Sequence, residues 1–405
     1  MKKAIPRRGA ARWRRPALRV CALVALALVA GCGGPFPQSA MDNPVSDMAV
    51  RLQDLFEGIL WWAIGVFVIV EGALLVAIFR FRAGRSADED RSEPRHVHGN
   101  TLVELAWTLA PAIILVFIAV PTMATIWEVD RPTEDPDALQ VEVIGHQWWW
   151  EFRIPEYDLV TANELYIPVG RTIDFRLTTA DVIHSFWFPR LGGKRDLIPG
   201  RENHLWFTAD SVGRFTGQCA EFCGLSHALM KMELVVASPE DFDAWVEAQT
   251  RPSPVLQAVD TRSEEELARD VAAAQDTALP ERVEEGVIDE PPALGQEEAA
   301  PRAEEPAQDT ELAAIVEEGQ TLVMSKGCIA CHRIDGTPAR GALGPDLSHV
   351  GSRRTIAAGI LENDRENMIR WLRDPEAVKP GTTMPTLDLT DEELAALADY
   401  LGSLE

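Results

Sequence analysis

The chain has 405 residues, 46% of them hydrophobic, with 63 acidic against 38 basic side chains and a formal net charge of −25. That length holds two or three domains, and the acidic balance excludes a nucleic-acid binder, which needs a basic face. Six cysteines are too few for a disulfide framework at this size; by position they form three pairs, Cys21/Cys32, Cys219/Cys223 and Cys328/Cys331.

Residues 1–32 read as a targeting segment. Lys2, Lys3, Arg7, Arg8, Arg12, Arg14, Arg15 and Arg19 form a basic start, and the apolar run from Val20 to Ala30 is too short to cross a bilayer. It ends in Val29-Ala30-Gly31-Cys32, which resembles a bacterial lipobox, so Cys32 is expected to be lipidated and to become the mature N-terminus. An ordinary signal peptide cut nearby is the alternative.

A transmembrane helical hairpin is expected over residues 43–136, with spans at about Leu55–Phe79 and Leu102–Trp127, each long and apolar enough for a bilayer core. Arg80, Arg82, Arg85, Arg91 and Arg95 crowd the loop between them, whereas only Arg51 and Arg131 flank the outer ends. Positive charge marks the cytoplasmic side. The loop is therefore expected inside a bacterial plasma membrane, with both mature termini and everything after the second span outside. Glu71 and Glu104 fall within the spans, where an unpaired carboxylate is costly; nothing in the sequence names a partner for Glu71. Pro111 and Pro121 each remove a helix hydrogen bond and are expected to kink the second span.

Residues 137–250 read as a β domain closed by a short helix. Alternating runs recur as LQVEVIGH, ELYIPVG, TIDFRLTT, HLWFTAD and GRFTGQCA, punctuated by Pro155, Gly170, Gly192-Gly193, Pro199-Gly200 and Gly213. Many short strands with turn signals suggest a sandwich or barrel. Ser238-Pro239-Glu240-Asp241 starts a helix by capping chemistry. In GHQWWWEF, Trp148, Trp149 and Trp150 alternate faces if the segment is extended.

The stretch GQCAEFCGLSHALM, Gly217 to Met230, sets Cys219, Cys223, His227 and Met230 within twelve positions, and His184 lies upstream in DVIHSF. Two thiolates, two imidazoles and a thioether suit copper better than calcium or magnesium. A Cys219–Cys223 disulfide in a secreted loop is the bland alternative. Asp181 either orients His184 or caps a turn.

Residues 251–310 are rich in Glu, Asp, Ala and Pro and nearly free of aromatics. Such a segment buries too little apolar surface to fold, so a disordered linker is expected, spanning about 40–45 Å. It would hold the last domain at high local concentration near the β domain.

Residues 311–405 carry Cys328-Ile329-Ala330-Cys331-His332, a c-type haem attachment pattern. A helical run precedes it, Gly344-Pro345-Asp346-Leu347 and GTTMPTL with Met384 follow, and Thr390-x-x-Glu393 opens a terminal helix. This domain resembles a class I cytochrome c. Cys328 and Cys331 would form the thioethers, with His332 and Met384 as axial ligands; such His/Met ligation raises the potential. Met368, in a helical pattern beside Ile369 and Trp371, is the competing methionine.

Cys-x-Glu-x-Cys-x-x-x-His-x-x-Met with an upstream His resembles the copper A loop of cytochrome c oxidase subunit II, and the resemblance runs over about residues 43–248. It implies a multi-domain protein: a two-helix membrane hairpin, a cupredoxin-like Greek-key β-barrel, a disordered linker and an all-α cytochrome c domain. It implies dinuclear copper A held by His184, Cys219, Cys223, His227, Met230 and the main-chain carbonyl of Glu221. It singles out Trp148 as the surface residue through which an electron enters, and Glu104 in ELAWTLAP as the mouth of a proton path. Asp196 in LGGKRDLIPGR and the Glu221 side chain are implied to hold magnesium or manganese at the boundary with subunit I, oxygen ligands that suit hard ions; a turn residue is the plainer reading of Asp196. Arg201 takes the family's position beside haem propionates. The implied partners are the membrane, subunit I and other oxidase subunits, and an upstream donor that is cytochrome c or a bc1-type complex. The implied activity is that of a proton-pumping cytochrome c oxidase, for which this chain is the electron inlet. A membrane-anchored copper carrier with a cytochrome tail is the alternative; it needs one copper ion and a reversible thiol pair, but not Glu221, Met230 and Asp196 in register.

Overall fold

A computed structural model describes residues 43–81, 98–254, 256 and 309–405. The leader with Cys32, the arginines at 82, 85, 91 and 95, and positions 257–308 of the expected linker lie outside the described residues.

Two long apolar helices come first, α1 (Asp47–Arg80) and α2 (Thr101–Val129), both long enough to cross a membrane. They run antiparallel: Arg51 at the start of α1 pairs with Glu128 at the end of α2, and Trp62 stacks on Phe117 at 5.9 Å. Helix α2 continues unbroken through Pro111 and Pro121.

Helix α1 starts eight residues before the expected span, and the reason is tertiary. Ser46 caps it by accepting from Ala49 N and also donates to the Leu191 carbonyl at 2.5 Å, while Thr208 N donates to Asp47. Val45 and Met48 are buried in the core of the β domain, where a side chain like Met48 stabilises by about 1.5–3 kcal/mol. The end of α2 is held as well: Arg195 pairs with Asp130 at 2.9 Å, and Trp206 Nε1 donates to the Arg131 carbonyl at 2.8 Å. The β domain is thus fixed at a set height over the hairpin.

The β domain consists of two five-stranded sheets sharing one core. The first has the order β3 (Leu159–Ala162), β2 (Trp149–Ile154), β1 (Leu139–His146), β5 (Thr172–Thr179), β8 (Asn203–Thr208). The second has the order β4 (Glu164–Pro168), β10 (Lys231–Ala237), β9 (Gly213–Cys219), β6 (His184–Trp187), β7 (Arg195–Leu197). Of the sandwich or barrel expected, the β domain is a two-sheet sandwich, the cupredoxin-like arrangement. Strand β1 alternates buried and half-buried residues along its length, as its apolar/polar alternation requires. Phe186 lies at the centre of the core, fully buried, with Trp150, Phe152, Phe175 and Phe188 around it at ring-centroid distances of 5.2–6.3 Å. Helix α3 (Pro239–Gln249) closes the domain, capped by Ser238.

The last domain is built on α4 (Asp309–Ser325) and α5 (Asp391–Ser403), which cross where Gly319 meets Tyr400. A Cβ at Gly319 would stand 2.2 Å from Tyr400 Cβ. The capping box at Thr390 and Glu393 forms in full. Three residues assigned above to the linker belong here instead. Leu256 joins the core of this domain, Pro252 and Leu256 cover Gly336, and Ser253 Oγ reaches the Ser403 carbonyl at 3.3 Å. A leucine within an acidic, proline-rich run carries no local signal of that contact.

Candidate metal centre and haem site

Strand β9 ends at Cys219, and the loop from Ala220 to Met230 returns to β10, so the loop residues hang from one end of the sandwich. His184 opens β6, beside β9 in the same sheet. The two cysteines are free, with Sγ atoms 3.8 Å apart, so the disulfide is absent. Around them, His184 Nδ1 is 3.9 Å from Cys219 Sγ, His227 Nδ1 is 3.6 Å from Cys223 Sγ, and Met230 Sδ is 3.9 Å from Cys223 Sγ. The Glu221 carbonyl lies 3.2 Å from Cys219 Sγ. His184, Cys219, Cys223 and Met230 are all buried.

These spacings fit metal ions. A sulfur–metal bond of about 2.3 Å and a nitrogen–metal bond of about 2.0 Å let each sulfur–sulfur or sulfur–nitrogen pair here share one ion. The charge balance argues the same way. Hydrogen bonding from Cys223, ahead of the bond to His184, holds the Cys219 thiol down at about 3. The Cys223 thiol, bonded to that thiolate and buried, is pushed up. Two thiols this close do not both ionise unless a cation stands between them.

Asp181 orients the histidine rather than merely capping a turn: its Oδ1 accepts from His184 Nε2 at 2.8 Å, which leaves Nδ1 free towards the sulfurs. Burial lowers the proton affinity of His184, but the bonds to Asp181 and Cys219 more than offset it, so its pKa lies above the ordinary value. Such outer partners fix a ligand's tautomer and direction.

The tryptophans differ from expectation. The segment is not extended throughout: β1 stops at His146, Gln147 and Trp148 make the turn, and β2 starts at Trp149. Trp150 is core, and Trp149 stacks on His146 at 4.1 Å. Trp148 is not a surface residue in this chain; it is 8% exposed. The cytochrome domain lies over it, with the Gly381 backbone against the indole ring and Lys379 Nζ donating to the Trp148 carbonyl. On its other side, Trp148 Nε1 donates to the Cys223 carbonyl at 2.9 Å, which Gln147 Nε2 also reaches at 2.8 Å. Lys379, Gln147 and Ser226, whose Oγ donates to the Pro380 carbonyl at 2.6 Å, were given no role by the sequence; Gln147 and Ser226 stand inside the tryptophan and cysteine stretches, and Lys379 outside any motif.

In the cytochrome domain, Cys328 and Cys331 are free and half-buried on one turn. His332 Nδ1 bonds to the Pro345 carbonyl at 2.8 Å, which fixes the tautomer and leaves Nε2 for an iron. Burial lowers the pKa of His332, so the ring stays neutral, as a metal ligand must be. The 341–344 loop runs tight against the motif: a Cβ at Gly341 would stand 2.4 Å from the Cys331 carbonyl carbon, and one at Gly344 2.6 Å from the His332 ring. Met368 is core, 3% exposed inside a helix, whereas Met384 is half-buried on an irregular loop. Arg353 carries a buried Nε with no hydrogen-bond partner among the described residues, and its charge lowers His332 further. A neutral imidazole, two free thiols and a nearby guanidinium with one N–H unpartnered fit a haem with acidic side chains.

The remaining candidates lie apart. Asp196 is half-buried on β7, and Glu221 extends into solvent. Among the described residues, the only group of three or more metal-ligating side chains is His184, Cys219 and Cys223, so a hard ion at Asp196 needs further donors. Glu104 is exposed in the first turn of α2. Glu71 is half-buried in α1 and has no polar partner among the described residues.

Residues 36–125 match the family described as the transmembrane domain of cytochrome c oxidase subunit II. Residues 158–238 match its periplasmic domain, and residues 316–405 match cytochrome c. The chain is 33% identical to cytochrome c oxidase subunit 2 of Alkalihalophilus pseudofirmus over 381 residues, covering 93% of each chain. It is 32% identical to the same subunit of Bacillus sp. strain PS3, over 93% of this chain and 94% of that one. A solved structure of the periplasmic domain of subunit II of cytochrome oxidase from Bradyrhizobium japonicum is 34% identical over 29% of this chain and 96% of that one, with a TM-score of 0.28.

Proposed function

The chain belongs to the cytochrome c oxidase subunit II family, joined to a cytochrome c domain, and from that premise we propose that it is the electron inlet of a proton-pumping haem–copper oxidase. As a subunit of a terminal oxidase it is part of an oxidoreductase that also contains subunit I. The family domains imply copper A and haem c. Bound here, those groups supply one-electron redox chemistry, so that electrons from an upstream donor pass to subunit I, where oxygen is reduced to water.

The residues serve that chemistry as follows. His184, Cys219, the Glu221 carbonyl, Cys223, His227 and Met230 would hold copper A; Cys328, Cys331, His332 and Met384 would hold haem c. Burial of His184, Cys219, Cys223 and Met230 keeps water from the copper ligands. A rigid sandwich and the Asp181 bond limit their movement between oxidation states. Trp148 would be the bridge between domains: one side touches Gly381, and its indole N–H is bonded to the backbone of Cys223. The observation that carries the reading is this placement of a CxxCH domain directly over a converged thiolate–imidazole set.

Further parts of the proposal rest on the family pattern. Glu104 would take up protons on the cytoplasmic side, Asp196 and Glu221 would bind magnesium or manganese with donors from subunit I, and both water-soluble domains would lie on the outer face. Copper counted against haem in the purified full chain tests the core claim. Two copper ions per haem c support it; one copper ion with a reversible thiol pair favours a copper carrier instead.

A further inference from the structure

The cytochrome domain also grips the copper domain away from Trp148. Glu164 and Glu233 stand opposite each other on the paired parallel strands β4 and β10, each 5% exposed. Two adjacent buried carboxylates repel and need cations. The copper domain supplies one, Arg214 on β9, whose Nη1 lies 3.9 Å from Glu164 and 3.6 Å from Glu233. The second comes from the cytochrome domain. Arg354 N–H donates to Glu164 Oε2 at 3.0 Å, and its Nε lies 3.2 and 3.1 Å from the two oxygens of Glu233. Next to this, Lys231 N donates to the Ala358 carbonyl at 3.1 Å. Gly359, at φ +77°, packs against Lys231 Cβ, which a Cβ on the glycine would approach to 3.0 Å. Lys231 directly follows the candidate ligand Met230, so this contact is continuous with the copper loop.

We propose that the Glu164/Glu233 pair is a receptor for Arg354 which seats the cytochrome domain in one orientation, and that the seated domain closes the Trp148 surface to any other donor. The inference rests on the electron-inlet reading. A tether raises local concentration but selects no orientation. A buried acid pair does select one, because the copper domain itself sets only Arg214 against two carboxylates and the seated domain adds Arg354, with the charge of Arg353 also acting on Glu164. The exposure is lopsided, with the Glu233 side chain 6% exposed and that of Arg354 56%. Both carboxylates come from paired strands of the copper domain, and the seated domain brings the cation to them.

The test uses the full chain carrying haem c and copper in detergent, as native protein, R354E and the double variant E164Q/E233Q. Two quantities are read: hydroxyl-radical oxidation of Trp148, and the rate at which copper re-oxidises photoreduced haem c. In both variants Trp148 oxidation is expected to rise severalfold and the rate to fall about tenfold or more, with the visible and near-infrared bands unchanged; R354K should recover part of the rate. Native-like Trp148 protection and a native rate in R354E and in E164Q/E233Q overturn the proposal. If Trp148 becomes exposed in the variants but the native chain passes no electrons from haem to copper, the seating stands and the electron-inlet reading fails.

Discussion

Gly344→Ala probes the haem site through one contact. An added Cβ would stand 2.6 Å from His332 Cε1, where ordinary contact begins at 3.4 Å, so one side must yield by about 0.8 Å. His332 is held by its 2.8 Å bond to the carbonyl of Pro345, the residue next to Gly344. If the ring takes up the whole shift directly away from that carbonyl, 2.8 + 0.8 gives about 3.6 Å, too long for a hydrogen bond. Overpacking costs about 1–3 kcal/mol, and the lost bond about 0.5–1.5 kcal/mol more. For a domain of this size each kcal/mol moves the midpoint by about 4–8 °C, so a fall of roughly 6 °C or more is expected. The assay is thermal melting of the holoprotein followed at the haem absorption, with the near-infrared copper signal as an internal control. A midpoint within about 2 °C of the native value, with an unchanged low-spin spectrum, would refute the reasoning.

Asp181→Ala removes the partner of His184 Nε2 and is expected to weaken copper retention about 10–100-fold in competition with a chelator, leaving the haem spectrum as it was. Phe186→Ala empties the centre of the sandwich and should destabilise it by about 3–5 kcal/mol; denaturant titration of the β domain's tryptophan fluorescence measures this. Lys379 yields a pH dependence. Burial pulls its pKa from the ordinary 10.5 down to about 7, so between those values the unfolded chain binds more protons and stability rises with pH. Below about 7 both states are protonated and the penalty is constant. Melting of native protein from pH 7 to 10 should show that rise, and Lys379→Met should flatten it; an equal slope in both would count against the buried ammonium.

Where the chain answers to local rules, the sequence could be read directly. Leu139–His146 and Thr172–Thr179 are strands with the limits that their alternation suggests, and the Thr390 capping box marks the last helix. Copper-loop spacing was legible too, since Cys219, Cys223, His227 and Met230 share one short loop. The misreadings share a different cause. Helix α1 begins early because Ser46, Asp47 and Met48 are held by the β domain. The tryptophan run breaks at Gln147 and Trp148, where a hairpin turn replaces the extended chain. Trp148 is covered by residues more than two hundred positions away.

The chemistry follows from local sequence: which donors exist, how closely they are spaced, which segments are apolar and long enough to cross a membrane, and that a CxxCH module follows. Short-range geometry and side-chain softness settle those points without reference to distant residues. How the parts meet is a matter of tertiary packing: Asp181 bonded to His184, Pro345 to His332, Leu256 drawn into the cytochrome core, and Lys379 and Arg354 pressed onto the copper domain. Such contacts join residues far apart in the chain, and they form only because burying apolar surface and matching buried charges offset the entropy of bringing them together.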